Sequence, residues 1–166
     1  MKICFVDNTN FHYDSESINS EKLRGAETVL INITKELNLL GNEITVINNC
    51  STSRMIENIN WVNINTVKNV DYFDAVIANG DCNLFKYAIS NNNILFSHSL
   101  QSLEKFIRKK QLLSYLKYKP KVCFLSQYHK KNRSKLLYFF GHINLRWAVD
   151  EFFLKTEITN EIKNNQ

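Results

Sequence analysis

The sequence predicts an α/β fold in which a mainly parallel β-sheet is covered by helices on both faces. Three observations carry this. Short β-rich apolar runs alternate with helical stretches along all 166 residues, the pattern of a parallel sheet with crossover helices. Residues 24–48, RGAETVLINITKELNLLGNEITVIN, read in order as loop, helix, tight turn and strand. The four glycines mark junctions: Gly25 before a helix, Gly80 after a strand, Gly41 and Gly141 after helices.

The elements follow in order. KICFVD, residues 2–7, is an opening strand. Ala26, Val29, Leu30, Ile33, Leu37 and Leu40 recur at three- and four-residue steps and share one helical face. Gly41 ends that helix, where a left-handed residue costs a glycine little. Ile44, Val46 and Ile47 form the next strand, and strand–helix–strand implies a right-handed parallel crossover. Residues 61–64 are a short strand and residues 74–78, DAVIA, a stronger one. Asp81 then caps a helix over 82–89. Residues 93–96, NILF, are a buried strand, followed by a helix over 103–118 that ends before Pro120. Residues 121–125, KVCFL, are a strand, Ser126 caps a helix over 127–139, Gly141 ends it, and 143–145 is a last short strand. The tail after Thr156 is polar and expected to fray. This is a Rossmann-like three-layer sandwich, with its ligand site expected beyond the carboxyl ends of the strands.

Composition bounds the function. A hydrophobic fraction of 44% and a charged fraction of 22% are those of a soluble globular domain. Asp7 interrupts the first apolar run too early for a signal peptide, and no run is long enough to span a bilayer. The four cysteines, Cys4, Cys50, Cys82 and Cys123, form no Cys-x-x-Cys pair. They read as reduced, buried, cytosolic thiols, and no ligand spacing suggests a metal. Net charge is +5, unevenly distributed. Residues 1–100 hold seven Lys/Arg against eleven Asp/Glu, whereas residues 101–146 hold twelve against the single acid Glu104. A basic half of this kind fits a partner bearing phosphates.

The run RGAETVLINITKELNLLGNEITVI resembles the opening of the retaining glycosyltransferases of the GT-B fold, family 4 (group 1). Those enzymes begin with a strand, a Gly-Gly-Ala-Glu loop, a helix ending near Leu-x-x-x-Gly-His-x-Val, and a second strand. Gly25, Ala26, Glu27 and Gly41 match; Arg24 replaces the first glycine and Asn42 the histidine. ANGD, ILFSH and CFLSQYHKKN recur downstream in the family's order, and NLRWAVDEFF is similar to its Pro-Asn-Gly-Val-Asp-x-x-x-Phe segment. The resemblance covers roughly residues 1–155. It implies one half of a GT-B architecture, the acceptor-side domain, with 156–166 a polar tail or the start of a donor-binding domain. The family's Glu-x7-Glu pair belongs to that second half, and no such pair occurs here. The implied reaction moves a sugar from a nucleotide-sugar to a hydroxyl of a glycan or lipid-linked acceptor with retention. Nucleotide-sugar is then the co-substrate, with no other cofactor and no metal, as in cell-envelope polysaccharide synthesis. The isolated chain is expected to be inactive, and its place cytoplasmic or peripheral at the inner face of the cell membrane.

His98 is the first candidate catalytic residue. It stands at the carboxyl end of a central strand, where an imidazole can bond a sugar hydroxyl or polarise a leaving phosphate. The competing reading is a histidine that merely caps the next helix; the resemblance favours function. Arg24 and Gly25 are candidates for the donor phosphates, since backbone N–H groups at a helix start attract anions and Arg24 adds a charged fork. No Gly-x-Gly-x-x-Gly supports an ordinary dinucleotide site. Asn79, Gly80, Asp81 and Ser126 end neighbouring strands and are candidates for acceptor binding, although capping explains Asp81 and Ser126 equally well. His12, a further candidate for acceptor binding, and Asp14 lie on a first loop long enough to be a lid or a disordered excursion. Asp7 invites comparison with a phospho-acceptor, but the accompanying acid and lysine are not evident.

The segment 103–119 combines Leu103, Phe106, Ile107, Leu113 and Leu116 with Lys105, Arg108, Lys109, Lys110, Lys117 and Lys119. It reads either as a surface helix packed on the sheet or as a basic amphipathic helix lying on an anionic membrane. A non-catalytic membrane- or partner-docking module is therefore the alternative to an enzyme. Nucleic acid is disfavoured, because the basic half carries no recognisable reading motif.

Overall fold

The computed structural model describes residues 1–19, 23–98 and 103–145. Eight strands form one sheet: β1 Lys2–Val6, β2 Glu43–Asn48, β3 Arg54–Ile56, β4 Ile59–Asn63, β5 Ala75–Asn79, β6 Asn93–Ser97, β7 Lys121–Phe124 and β8 His142–Asn144. Their order is β3-β4-β2-β1-β5-β6-β7-β8. Every pairing is parallel except β3 with β4. The α/β, Rossmann-like class is therefore as the sequence predicts. Within the described residues no helix is long and apolar enough to cross a membrane.

β1 lies between β2 and β5, and its last four residues are buried. Alternation along the strands sends side chains into two cores. Ile3, Phe5, Ile44, Val46, Ile59, Trp61 and Ala75 pack with Leu30 and Ile31 of α1 (Gly25–Leu39). Cys4, Val6, Val76, Ala78, Leu95, Val122 and Phe124 pack on the opposite face with Phe85, Phe106, Tyr115 and Leu137. Helix α1 ends as expected: Gly41 is left-handed at φ +83°, and the Asn42 side chain donates to the Leu37 carbonyl at 2.8 Å.

Three expectations are corrected and one strand is added. The short antiparallel strand β3 was not predicted; it joins β4 through Glu57 and Asn58, both at positive φ. The helix expected over 103–118 is two helices, α2 Leu103–Arg108 and α3 Leu112–Tyr118. Between them Lys110 is left-handed at φ +54°, and Gln111 is fully buried with its Oε1 accepting from Cys82 N. Four polar residues, Arg108–Gln111, interrupt the apolar pattern between Ile107 and Leu112, and the helix breaks there. The helix expected over 127–139 is α4 Gln127–Lys131 followed by a 3-10 turn at Lys135–Tyr138. The Asn132 side chain donates to the Tyr128 carbonyl at 2.9 Å, and Ser134 is non-helical, which ends the first helix early. The segment expected as a helix over 82–89 is 3-10 at Cys82–Tyr87, because Ala88 is extended and Ile89 bridges to Tyr72. The motif at 144–153 passes from residue 146 outside the described residues, as do the domain boundary near 155 and the tail.

Candidate functional site

The carboxyl ends of β1, β5 and β6 bring together three side chains far apart in sequence. Asp7 follows β1, Asn79 ends β5, and His98 follows β6. Asn79 Nδ2 donates to Asp7 Oδ1 at 2.8 Å, and Asn79 Oδ1 lies 2.5 Å from His98 Nε2. An ionised carboxylate only accepts, so the amide must turn its NH2 to Asp7 and its carbonyl to His98. His98 therefore carries its proton on Nε2, and Nδ1 is the accepting pole of the neutral ring. Phe96 packs edge-on against the imidazole, 4.4 Å between ring centres.

Asp7 is buried and fully engaged. Its Oδ2 accepts from the Tyr13 hydroxyl at 2.7 Å and from Thr9 N at 3.1 Å. It is an anchor for Asn79 rather than an exposed nucleophile. Burial and the adjacent Asp7 carboxylate push the Tyr13 phenol well above its ordinary range, so it stays a donor. A second buried carboxylate, Glu27, stands in the first turn of α1. Its Oε1 accepts from Thr9 Oγ1 at 2.7 Å and from Arg24 Nη2 at 3.1 Å. Arg24 also lies over the Phe11 ring at 5.1 Å. Burial lowers the affinity of His98 for a proton; Asp7 and Glu27 oppose that, and His129 adds to it. The net direction is downward, so the ring is neutral at pH 7.

Of the sequence candidates, His98 and Asn79 are brought together, with Arg24 and Gly25 at the adjacent start of α1. A Cβ on Gly25 would meet nothing within 4 Å, so a ligand can approach this backbone closely. Gly80, at φ +70°, donates its N–H to the Phe96 carbonyl and turns the chain away. Asp81 caps the following 3-10 turn through Asn83 N at 2.8 Å, and Ser126 caps α4 through His129 N at 3.1 Å. Both therefore have the structural duty that was the competing reading. His12 Nδ1 is 2.8 Å from the Asn49 carbonyl, off the carboxyl end of β2 rather than beside His98. The described part of the first loop is fastened: Arg54 reaches Asp14 at 2.8 Å and Glu16 at 2.6 Å, and Asn48 holds the Tyr13 carbonyl. Tyr13 is a site residue that the sequence does not single out; Asp7 is weighed there only as a phospho-acceptor and Glu27 only as a motif match. Among the described residues no group of three or more His, Cys, Asp and Glu is arranged to hold a metal.

The chain matches no family model, no curated protein and no solved structure. What it does must be argued from its own residues.

Proposed function

We propose that this chain is the acceptor-side half of a retaining GT-B glycosyltransferase. One observation carries the reading: a neutral histidine, oriented by an amide that a buried aspartate fixes, stands at the carboxyl end of a central parallel strand, and an exposed arginine pairs with Glu27 at the start of α1. That arrangement suits sugar chemistry. His98 meets a sugar hydroxyl, while Asn79 and Asp7 hold the ring in one tautomer and orientation. The exposed Arg24 keeps part of its guanidinium for a diphosphate while Glu27 steadies the rest. The nucleotide-sugar is co-substrate, and a second βα domain, in the same chain or a partner, supplies most of the donor's contacts. Residues 1–166 alone are then inactive or nearly so. With the second domain present, His98→Ala should lower kcat about 100-fold or more, the usual contribution of a positioned acid or base. Equal turnover by the variant and the wild type would sink the reading.

A second reading, membrane docking, is favoured by one surface and is compatible with the first. Ile107, Leu113, Leu116, Leu136 and Phe139 are exposed on α2, α3 and the 3-10 turn at Lys135–Tyr138 and its end; Leu113 is 79% and Phe139 76% exposed. Several of them line an apolar groove of about 290 Å³. Arg108, Lys109, Lys110, Lys117 and Lys119 are exposed on the same two helices and their ends, and none forms an ion pair with a described residue. Apolar side chains among unpaired cations fit an anionic lipid surface, where each cation contributes about 1 kcal/mol. Co-sedimentation with vesicles containing phosphatidylglycerol is expected at low salt, with loss on Leu113→Asp combined with Phe139→Asp. Equal retention on neutral phosphatidylcholine, or by the double variant, would remove this reading.

A further inference from the structure

The face of the sheet opposite His98 holds a cation with no counter-ion among the described residues. Arg133 follows α4 and is 4% exposed. Its Nη1 donates to Ser97 Oγ, at the end of β6, and its guanidinium lies over the Phe124 ring at 5.9 Å. Nε and Nη2, buried as well, find no acceptor among the described protein groups. No described carboxylate pairs with Arg133. A buried guanidinium without a counter-charge is among the most costly arrangements a fold can hold.

The two unsatisfied donors are not scattered. Nε and Nη2 form one edge of the planar guanidinium, the edge that grips a phosphate or carboxylate with two parallel hydrogen bonds. Nη1, on the other side, is already committed to Ser97, which fixes the plane. A further buried donor belongs to the same layer. Gln111 is fully buried; its Oε1 accepts from Cys82 N at 3.3 Å, and its Nε2 is unsatisfied. Cys82, fully buried, belongs to the same core cluster as Phe124, over whose ring Arg133 lies. Three buried donors without acceptors, two of them on a full positive charge, call for an anion.

We propose that Arg133 and Gln111 form a second binding site, for the oxyanion of a phosphate or carboxylate group, behind the carboxyl end of β6. Arg133 supplies the two-point grip and the charge, Ser97 holds the guanidinium in plane, and Gln111 Nε2 adds a neutral donor. The site stands whether or not the chain transfers sugar, because it uses none of the His98 residues.

The test is thermal unfolding of the purified chain in inorganic phosphate, in acetate and in chloride, at constant ionic strength. Phosphate or acetate is expected to raise the wild-type Tm saturably, by about 5 °C when the anion is well above its Kd. Which of the two acts identifies the oxyanion. Arg133→Met should show no such response, and its Tm without oxyanion should equal or exceed that of the wild type, because a buried uncompensated charge has gone. If the variant does not fold, the wild-type Arg133 Nε–H resonance carries the test, and it should shift saturably with the active anion. A wild-type Tm and Nε–H signal unmoved by both oxyanions would overturn the proposal, as would equal responses in wild type and Arg133→Met.

Discussion

Asn79 sets what His98 can do. Its amide is held from one end by Asp7 and presents its carbonyl to the imidazole from the other. Asn79→Asp keeps the shape and places a carboxylate against the ring. The His98 titration, followed by NMR, is expected to rise from below the ordinary value of about 6.5 to above it; an unchanged titration would show that Asn79 does not govern the ring. The same residue gives the wild type a pH signature. Burial lowers the folded pKa of His98, so the unfolded chain takes up the proton first as pH falls. This contribution to stability is intact above pH about 6.5 and is lost as the pH drops from there toward the folded value. The urea midpoint should fall across that window, and His98→Gln should flatten the fall. His98 was legible in the sequence because strand ends are where open sheets place chemistry. Asp7, 72 residues from Asn79, was not: its role exists only once β1 and β5 pair. Arg133 was hidden differently, as one more cation in a basic run until burial set it apart.

Helices and turns were legible in proportion to their periodicity. Helix α1 carries an unbroken apolar face and a terminal glycine, and it lies where that pattern places it. The region 103–118 carries the same residue types, but four polar residues interrupt its apolar pattern at Arg108–Gln111, and there the chain turns left-handed. β3 is three residues long and mostly exposed, so it left little alternating pattern to read. Two substitutions compare the helix ends. Gly41→Ala adds a Cβ that meets nothing within 4 Å, so its cost is the left-handed backbone alone, about 1 kcal/mol. Lys110→Gly relieves the same kind of backbone at φ +54° and should raise stability by about as much. Urea unfolding checks both signs; a destabilised Lys110→Gly would mean that the lysine side chain holds the break between α2 and α3.

At the scale of the whole molecule, the sheet separates two cores, and each cysteine is buried in or beside them. Burial pushes the Cys123 thiol up to about 11 and raises Cys4 and Cys82 further. The native protein should therefore react with a thiol reagent at pH 8 only at the rate of its opening, and fast labelling before unfolding would contradict this packing. The layered architecture was legible because strand and helix alternate along the chain; the strand order was not, because nothing local states which strands become neighbours. That order has a consequence for a chain made from its N-terminus. Apart from Ala75 and the partly buried Ile77, the core under α1 draws on residues up to Trp61, so it can condense while β5 to β8 are still unmade. β1 would then emerge from the ribosome with one flank joined to β2 and the other bare, an adhesive edge in the nascent chain until Ala75–Asn79 arrives to seal it.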